Sequence, residues 1–140
     1  MAAVQPTNLE EYCKVHNCSL FSLSFPCIFC KHPVGYVGLA EFHFKNLNLV
    51  YKDNVCYASC SYCLKLTANY ELENYYRCSV EAACIEHICK LPLKDILVRC
   101  ILCYKQLDLT EKFDCVVANS PFVLVRKYWR NYCRICFKTI

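Results

Sequence analysis

The feature that most constrains this chain is the spacing of its cysteines. Cys27-Ile28-Phe29-Cys30 and Cys60-Ser61-Tyr62-Cys63 are separated by 29 residues, as are Cys100-Ile101-Leu102-Cys103 and Cys133-Arg134-Ile135-Cys136. The second set repeats the first at an offset of 73 residues, across a 36-residue connector. At this cysteine content roughly one or two C-x-x-C pairs arise by chance, and one pair alone says little. Four pairs in two equal spacings do not arise that way. Each C-x-x-C turn supplies two soft, deprotonated ligands, and two turns complete a tetrahedral zinc site. The grouping expected is Cys27, Cys30, Cys60 and Cys63 for one structural zinc, and Cys100, Cys103, Cys133 and Cys136 for the other. Four sulfur ligands leave no open position for water, so catalysis by the metal is not expected.

Halves of about 70 residues sit where a hydrophobic core alone is marginal and a staple is needed. Fifteen cysteines, an odd number, argue against a closed disulfide framework. The first charge is Glu10 and no basic, apolar start resembles a secretory signal, so a reducing compartment is expected, where paired cysteines hold metal. The longest uncharged run, residues 15–30, contains Asn17, three serines and Pro26 and will not span a bilayer. Net charge is +4, but no acid follows Asp114 while Arg126, Lys127, Arg130, Arg134 and Lys138 do, which favours acidic partners at that end.

Along the chain, Thr7-Asn8-Leu9-Glu10 fits a capping box with Thr7 as N-cap, ahead of a short amphipathic helix carrying Leu9, Tyr12, Cys13 and His16. Phe21, Leu23 and Phe25 alternate with serines and read as extended, and Pro26 presents Cys27 on a turn. A helix is expected over 39–47, then a hairpin of 49–51 and 55–57 about a turn at Lys52-Asp53-Asn54, then a helix through Leu64, Leu66 and Tyr70. The connector has no Gly and only Pro92, so it is structured; Val80, Ala83, Cys84, Glu86, His87 and Ile88 suggest a second helix. In the second half, 114–117 and 123–126 read as strands. The fold class is therefore α+β: two tandem small zinc-binding domains, each a short antiparallel sheet plus helices, joined by a helical connector. The divisions are an N-terminal helical arm (1–20), a zinc domain (21–66), a connecting helix region (67–95) and a second zinc domain (96–140).

The remaining cysteines (Cys13, Cys18, Cys56, Cys78, Cys84, Cys89 and Cys115) read as small buried hydrophobes. His16, His32, His43 and His87 are bystanders, since eight cysteines already complete two sites. No signature surrounds any single cysteine as a nucleophile, and the chain is not read as an enzyme.

This arrangement of pairs and gaps, with Pro26-Cys27-Ile28-Phe29-Cys30, Leu49-Val50-Tyr51-Lys52-Asp53-Asn54 and Leu93-Lys94-Asp95-Ile96-Leu97-Val98-Arg99-Cys100, closely resembles the papillomavirus early protein six family. The resemblance covers nearly the whole chain. It implies a viral host-interaction oncoprotein in which two zinc domains and a linking helix form a groove that captures an acidic L-x-x-L-L helix, a helix-in-groove mode. Carried over by position, the apolar pocket draws on Phe29, Leu47, Val50, Leu64, Thr67 and Leu97, and the basic contacts on Arg99 and Arg126. Tyr128 stands where cancer-associated relatives carry a further arginine. Those relatives end in a PDZ-binding tail with Ser or Thr third from the end; here Lys138 occupies that slot, so PDZ binding is not expected. The short tail resembles cutaneous-type relatives, which implies Mastermind-like coactivators and repression of Notch-dependent transcription. The alternative is recruitment of a host ubiquitin ligase to degrade regulators such as p53. Self-association is left open. At 16.3 kDa, residence in both host nucleus and cytoplasm is expected.

Two other classes compete. Tyr128, Trp129 and Tyr132 interleave with cations as in a nucleic-acid binder, although rings packed beside a zinc site are favoured because small domains need core. A RING-type ligase would interleave its sites and include histidine, whereas these blocks are sequential.

Overall fold

Helix α1 (Leu9–Val15) begins one residue later than the capping signal suggests. Asn8, not Thr7, is the N-cap: its side chain accepts the Glu11 amide at 2.8 Å, and the Glu11 carboxylate takes the Thr7 amide and hydroxyl at 3.1 and 3.2 Å. Asn outranks Thr at this position, so the cap slides by one. The described residues in this computed structural model are 5–138; the Thr139–Ile140 end of the tail lies outside them.

The alternating 21–25 segment is not one strand. Ser19 accepts the Phe21 amide at 3.3 Å and caps a single 3-10 turn, Leu20–Ser22, a local bond that competes with sheet pairing. Strand β1 is only Phe25–Pro26, paired antiparallel with β2 (Pro33–Val34) across the first cysteine turn. Helix α2 (Tyr36–Phe44) buries Leu39 and Phe42 and stops short of the expected 39–47 span. Asn46 turns left-handed (φ 58°) and the Leu47 amide bonds back to the Phe42 carbonyl at 3.3 Å, which ends the helix. The hairpin of β3 (Val50–Lys52) and β4 (Val55–Tyr57) turns at Asp53 and Asn54, both left-handed (φ 52° and 65°). That is the turn whose twist matches its strands. Helix α3 runs Ser61–Tyr75.

The connector is not all helix. Tyr76–Val80 forms strand β5, and only then do a 3-10 turn at Ala82–Cys84 and the short α4 (Ile85–Cys89) follow. Val80 is thus a strand residue, paired with Phe122. Strand β6 (Val98–Cys100), helix α5 (Leu109–Val117), strands β7 (Phe122–Val125) and β8 (Tyr128–Asn131), and α6 (Arg134–Phe137) complete the described chain. The sheet order is β5-β7-β8-β6, with β6 and β8 parallel and the other pairs antiparallel. The 114–117 segment is the end of α5, not a strand. Asp108 and Glu111 form a full capping box that starts the helix, overriding the β preference of Val116 and Val117.

The 73-residue offset is written into the backbone as well as the cysteines. α2 and α5 have corresponding ends. Left-handed residues recur as Lys31 and Tyr104, Asn46 and Asn119, and Asp53 and Arg126. The chain divides into compact units Met1–Leu64 and Lys65–Ile140. The first packs Leu9, Phe25, Val34, Leu39 and Phe42; the second packs Ile85, Val98, Leu107, Cys115 and Phe122. No helix among the described residues is long and apolar enough to cross a membrane.

Candidate metal centres

Each quartet is assembled by the same small set of backbone bonds. The Cys27 amide donates to His32 O at 2.9 Å and the Cys100 amide to Lys105 O at 2.8 Å, which closes each C-x-x-C turn. Ile28 reaches Ala58 O at 3.0 Å and Ile101 reaches Asn131 O at 2.8 Å, drawing the second pair of each set to the first. The sulfur atoms of Cys27, Cys30, Cys60 and Cys63 lie within 4.8 Å of one another, as do those of Cys100, Cys103, Cys133 and Cys136. Facing sulfurs approach to 3.9 Å (Cys30–Cys60) and 3.8 Å (Cys103–Cys133). A zinc tetrahedron with bonds of about 2.3 Å has edges of about 3.8 Å, so the donor set fits zinc in type, number and spacing. Neither quartet includes a histidine.

The electrostatics point the same way. Burial opposes ionisation of Cys27, but amides of Cys30, Cys60 and Phe29 outweigh it and hold the thiol below its ordinary range. Cys100 is lowered by its bond from Cys103 and, against burial, by the amides of Cys133, Leu102 and Cys103. Burial and the neighbouring thiols push Cys63 up. Burial and the Cys100 charge push Cys136 up. Four thiolates this close repel, and a divalent cation is what allows all four to ionise.

The second centre has a buttress that the cysteine pattern did not reveal. Glu111 is buried; its carboxylate accepts Lys105 Nζ at 2.6 Å, the Asp108 amide at 3.2 Å and the Arg134 amide at 2.8 Å. It thereby ties α5 to the Cys133–Cys136 turn. The corresponding residue in the first unit is Gly38, where a Cβ would lie 2.7 Å from Val34 Cγ1.

The other cysteines are mostly not buried. Only Cys115 is; Cys78 and Cys84 are exposed, and Cys13, Cys18, Cys56 and Cys89 are half-buried. Small size lets a cysteine stand on a strand or turn surface at little cost, which composition cannot distinguish from core.

In the first unit, Phe29 and Val50 are exposed, Leu47 packs partly against the core, and Leu64 is buried. In the second, Thr67 is half-buried on α3, and Leu97 and Tyr128 are exposed. Arg99 donates to Tyr104 O at 2.8 Å. Arg126 donates to Glu71 at 2.8 Å, with its guanidinium 3.5 Å from the centre of the Tyr75 ring. Trp129 packs against the second core and Tyr132 against a smaller cluster of Ile101, Val123 and Val125.

A family model described as Early Protein (E6) matches residues 27–136, from the first zinc-ligating cysteine to the last. The chain belongs to this family. It is 42% identical over 138 residues to Protein E6 of Human papillomavirus 4, covering 99% of both chains. It is 43% identical over 131 residues to Protein E6 of Human papillomavirus type 48, covering 94% of this chain and 92% of that one. Against Protein E6 of Human papillomavirus type 5b the identity is 34% over 131 residues, covering 94% and 83%. This Early Protein (E6) member is thus a viral host-interaction protein with two structural zinc centres, Cys27/Cys30/Cys60/Cys63 and Cys100/Cys103/Cys133/Cys136. When bound, each zinc cross-links two distant turns; the chain's part is to present the thiolates and the amides that steady them.

Proposed function

We propose that this protein is an adaptor that captures acidic L-x-x-L-L helices of host proteins. In this reading Mastermind-like coactivator is the preferred helix, and its capture represses Notch-dependent transcription and differentiation. The observation that carries the reading is the Arg126 guanidinium, fixed on a tyrosine ring and holding a carboxylate. Exposed Phe29, Val50 and Leu97 supply apolar surface that the two cores leave unused. Leucines bring most of the affinity by burial, while the flanking acids set choice of partner and association rate. Trp129 and Tyr132 pack partly against hydrophobic residues of unit two, which supports reading these two rings as core. Such an adaptor works in the host nucleus and cytoplasm.

The test is a titration of labelled acidic L-x-x-L-L peptides. Val50→Glu and Leu97→Glu, both at exposed positions, abolish binding without changing zinc content, because each places a carboxylate against leucines without a partner. Leu47→Glu is a poorer probe, since Leu47 also supports the core. Full-strength binding by a folded Val50→Glu protein places the site elsewhere. Tighter binding of a ubiquitin-ligase helix than of the Mastermind-like helix overturns the choice of partner and leaves helix capture standing.

A further inference from the structure

We propose that Glu71 is an internal competitor, its carboxylate filling an anion site of Arg126 and Tyr104 that an acidic side chain of a bound helix must take over. The proposal deepens the helix-capture reading and rests on it for the identity of the ligand, a carboxylate on a partner helix. All three residues belong to one unit. Glu71 stands on α3 with its side chain 16% exposed; Oε2 accepts Arg126 Nε at 2.8 Å and Oε1 accepts the Tyr104 hydroxyl.

The site is built independently of the carboxylate in it. The Arg126 amide donates to Tyr75 O at 2.9 Å, and its carbonyl accepts Arg77 Nη1 at 3.3 Å, so the residue is held in its left-handed conformation (φ 57°). Its guanidinium stands over the Tyr75 ring, 3.5 Å from the ring centre, while its Nε binds the anion. Arg130 is buried, with its guanidinium 5.0 Å from the Tyr104 ring centre and 5.6 Å from that of Tyr128. Burial works against its charge, and Glu71 is the acid that supports it. Arg99 stands close enough to feel the Arg130 charge as well.

Exchanging one carboxylate for another on the same guanidinium changes little energy, so a correctly placed acid displaces Glu71 readily. A neutral partner has nothing to exchange for Glu71 and leaves the ion pair in place. Glu71 thus lowers the affinity of acidic helices by a set amount and leaves leucine helices that lack an acid untouched, so it tunes the charge contribution to binding.

The experiment compares wild type with Glu71→Gln, using three peptides: an acidic L-x-x-L-L helix, the same helix with its leucines changed to alanine, and a leucine helix with its acids neutralised. Glu71→Gln is expected to raise affinity for both acidic peptides about fivefold and to steepen their salt dependence, leaving the neutral peptide unchanged. In wild type, saturation with the acidic peptide shifts the Arg126 Nε–H resonance and moves the Glu71 carboxyl carbon to its solvent-exposed value, a readout that needs no variant. Equal affinity of both proteins for the acidic peptides, a Glu71 carboxyl carbon unmoved at saturation, or uniform loss of all binding together with stability overturns the proposal. Displacement of Glu71 by the leucine-free acidic peptide, with no gain from leucines, upholds it and removes the helix-capture reading instead.

Discussion

Glu111→Ala tests whether the second zinc centre depends on the buried carboxylate beside it. The substitution removes the acceptor for Lys105 Nζ, the Asp108 amide and the Arg134 amide. Lys105 retains 18% of its side-chain exposure and can turn towards water, and Asp108 is at the surface. The Arg134 amide, at the start of α6, loses a hydrogen bond to a charged acceptor, worth about 1.5–3 kcal/mol. Half a capping box is lost as well, about 1 kcal/mol. Together these give about 3 kcal/mol, the lower end of the range for breaking a buried pair. For a unit of this size that lowers Tm by on the order of 15 °C at saturating zinc. The assay is equilibrium urea unfolding in a zinc buffer followed by Trp129 fluorescence, since the single tryptophan packs against the core of this unit. Amide exchange at Leu39 and Phe42 stays at wild-type protection, because the first unit has Gly38 in the corresponding place. A shift in the Trp129 transition below about 1 kcal/mol refutes the argument, since it leaves the donors satisfied without the carboxylate.

Lys112 is buried with Nζ donating to Leu93 O at 3.0 Å, and the corresponding residue of the first unit is the fully buried Leu39. Lys112→Leu is expected to be neutral or stabilising by about 1–2 kcal/mol at pH 7 in urea titrations. Burial holds this ammonium below its ordinary 10.5, so its cost is greatest at neutral pH and fades as pH rises through the folded value; the advantage of the variant shrinks likewise. Destabilisation above about 1 kcal/mol at pH 7 instead marks Lys112 as a necessary tie to Leu93. Native mass spectrometry should find two zinc ions, and chelation should unfold the chain, because structural zinc contributes about 10–16 kcal/mol of apparent binding free energy in peptide models; a single zinc rules out the grouping. Cys136→Ser should disturb Trp129 before the first unit, and Cys63→Ser the reverse; equal loss of exchange protection in both units for both variants contradicts independent centres.

The two zinc quartets were legible in the residues because a C-x-x-C turn is a local geometry. Its pairing with a second turn follows from equal gaps. The hairpin turn at Asp53-Asn54 was legible for the same reason, since both residue types accept left-handed backbone. The missed elements fall where local preference and context disagree. Val116 and Val117 favour strand, yet the capping box at Asp108 commits them to helix; the offset of 73 maps them onto α2, a signal present in the sequence. Val80 fits a helical pattern, yet β7 offers it a strand partner, and no local signal decides between them.

What the sequence alone determined is the set of ligands, the doubling of the unit and the family to which the resemblance points, each carried by residues a few positions apart or by exact repetition. Tertiary structure decided which polar groups meet. Glu71 is 33 residues from Tyr104 and 55 from Arg126, and Glu111 is 23 from Arg134. No periodicity encodes such pairs, because they form only after the sheet and helices have packed. It also decided what becomes of the positions where one unit has Gly38 and Leu39 and the other has Glu111 and Lys112. The first unit has no room for a side chain against Val34, whereas the second encloses a carboxylate and an ammonium with hydrogen-bond partners already in place.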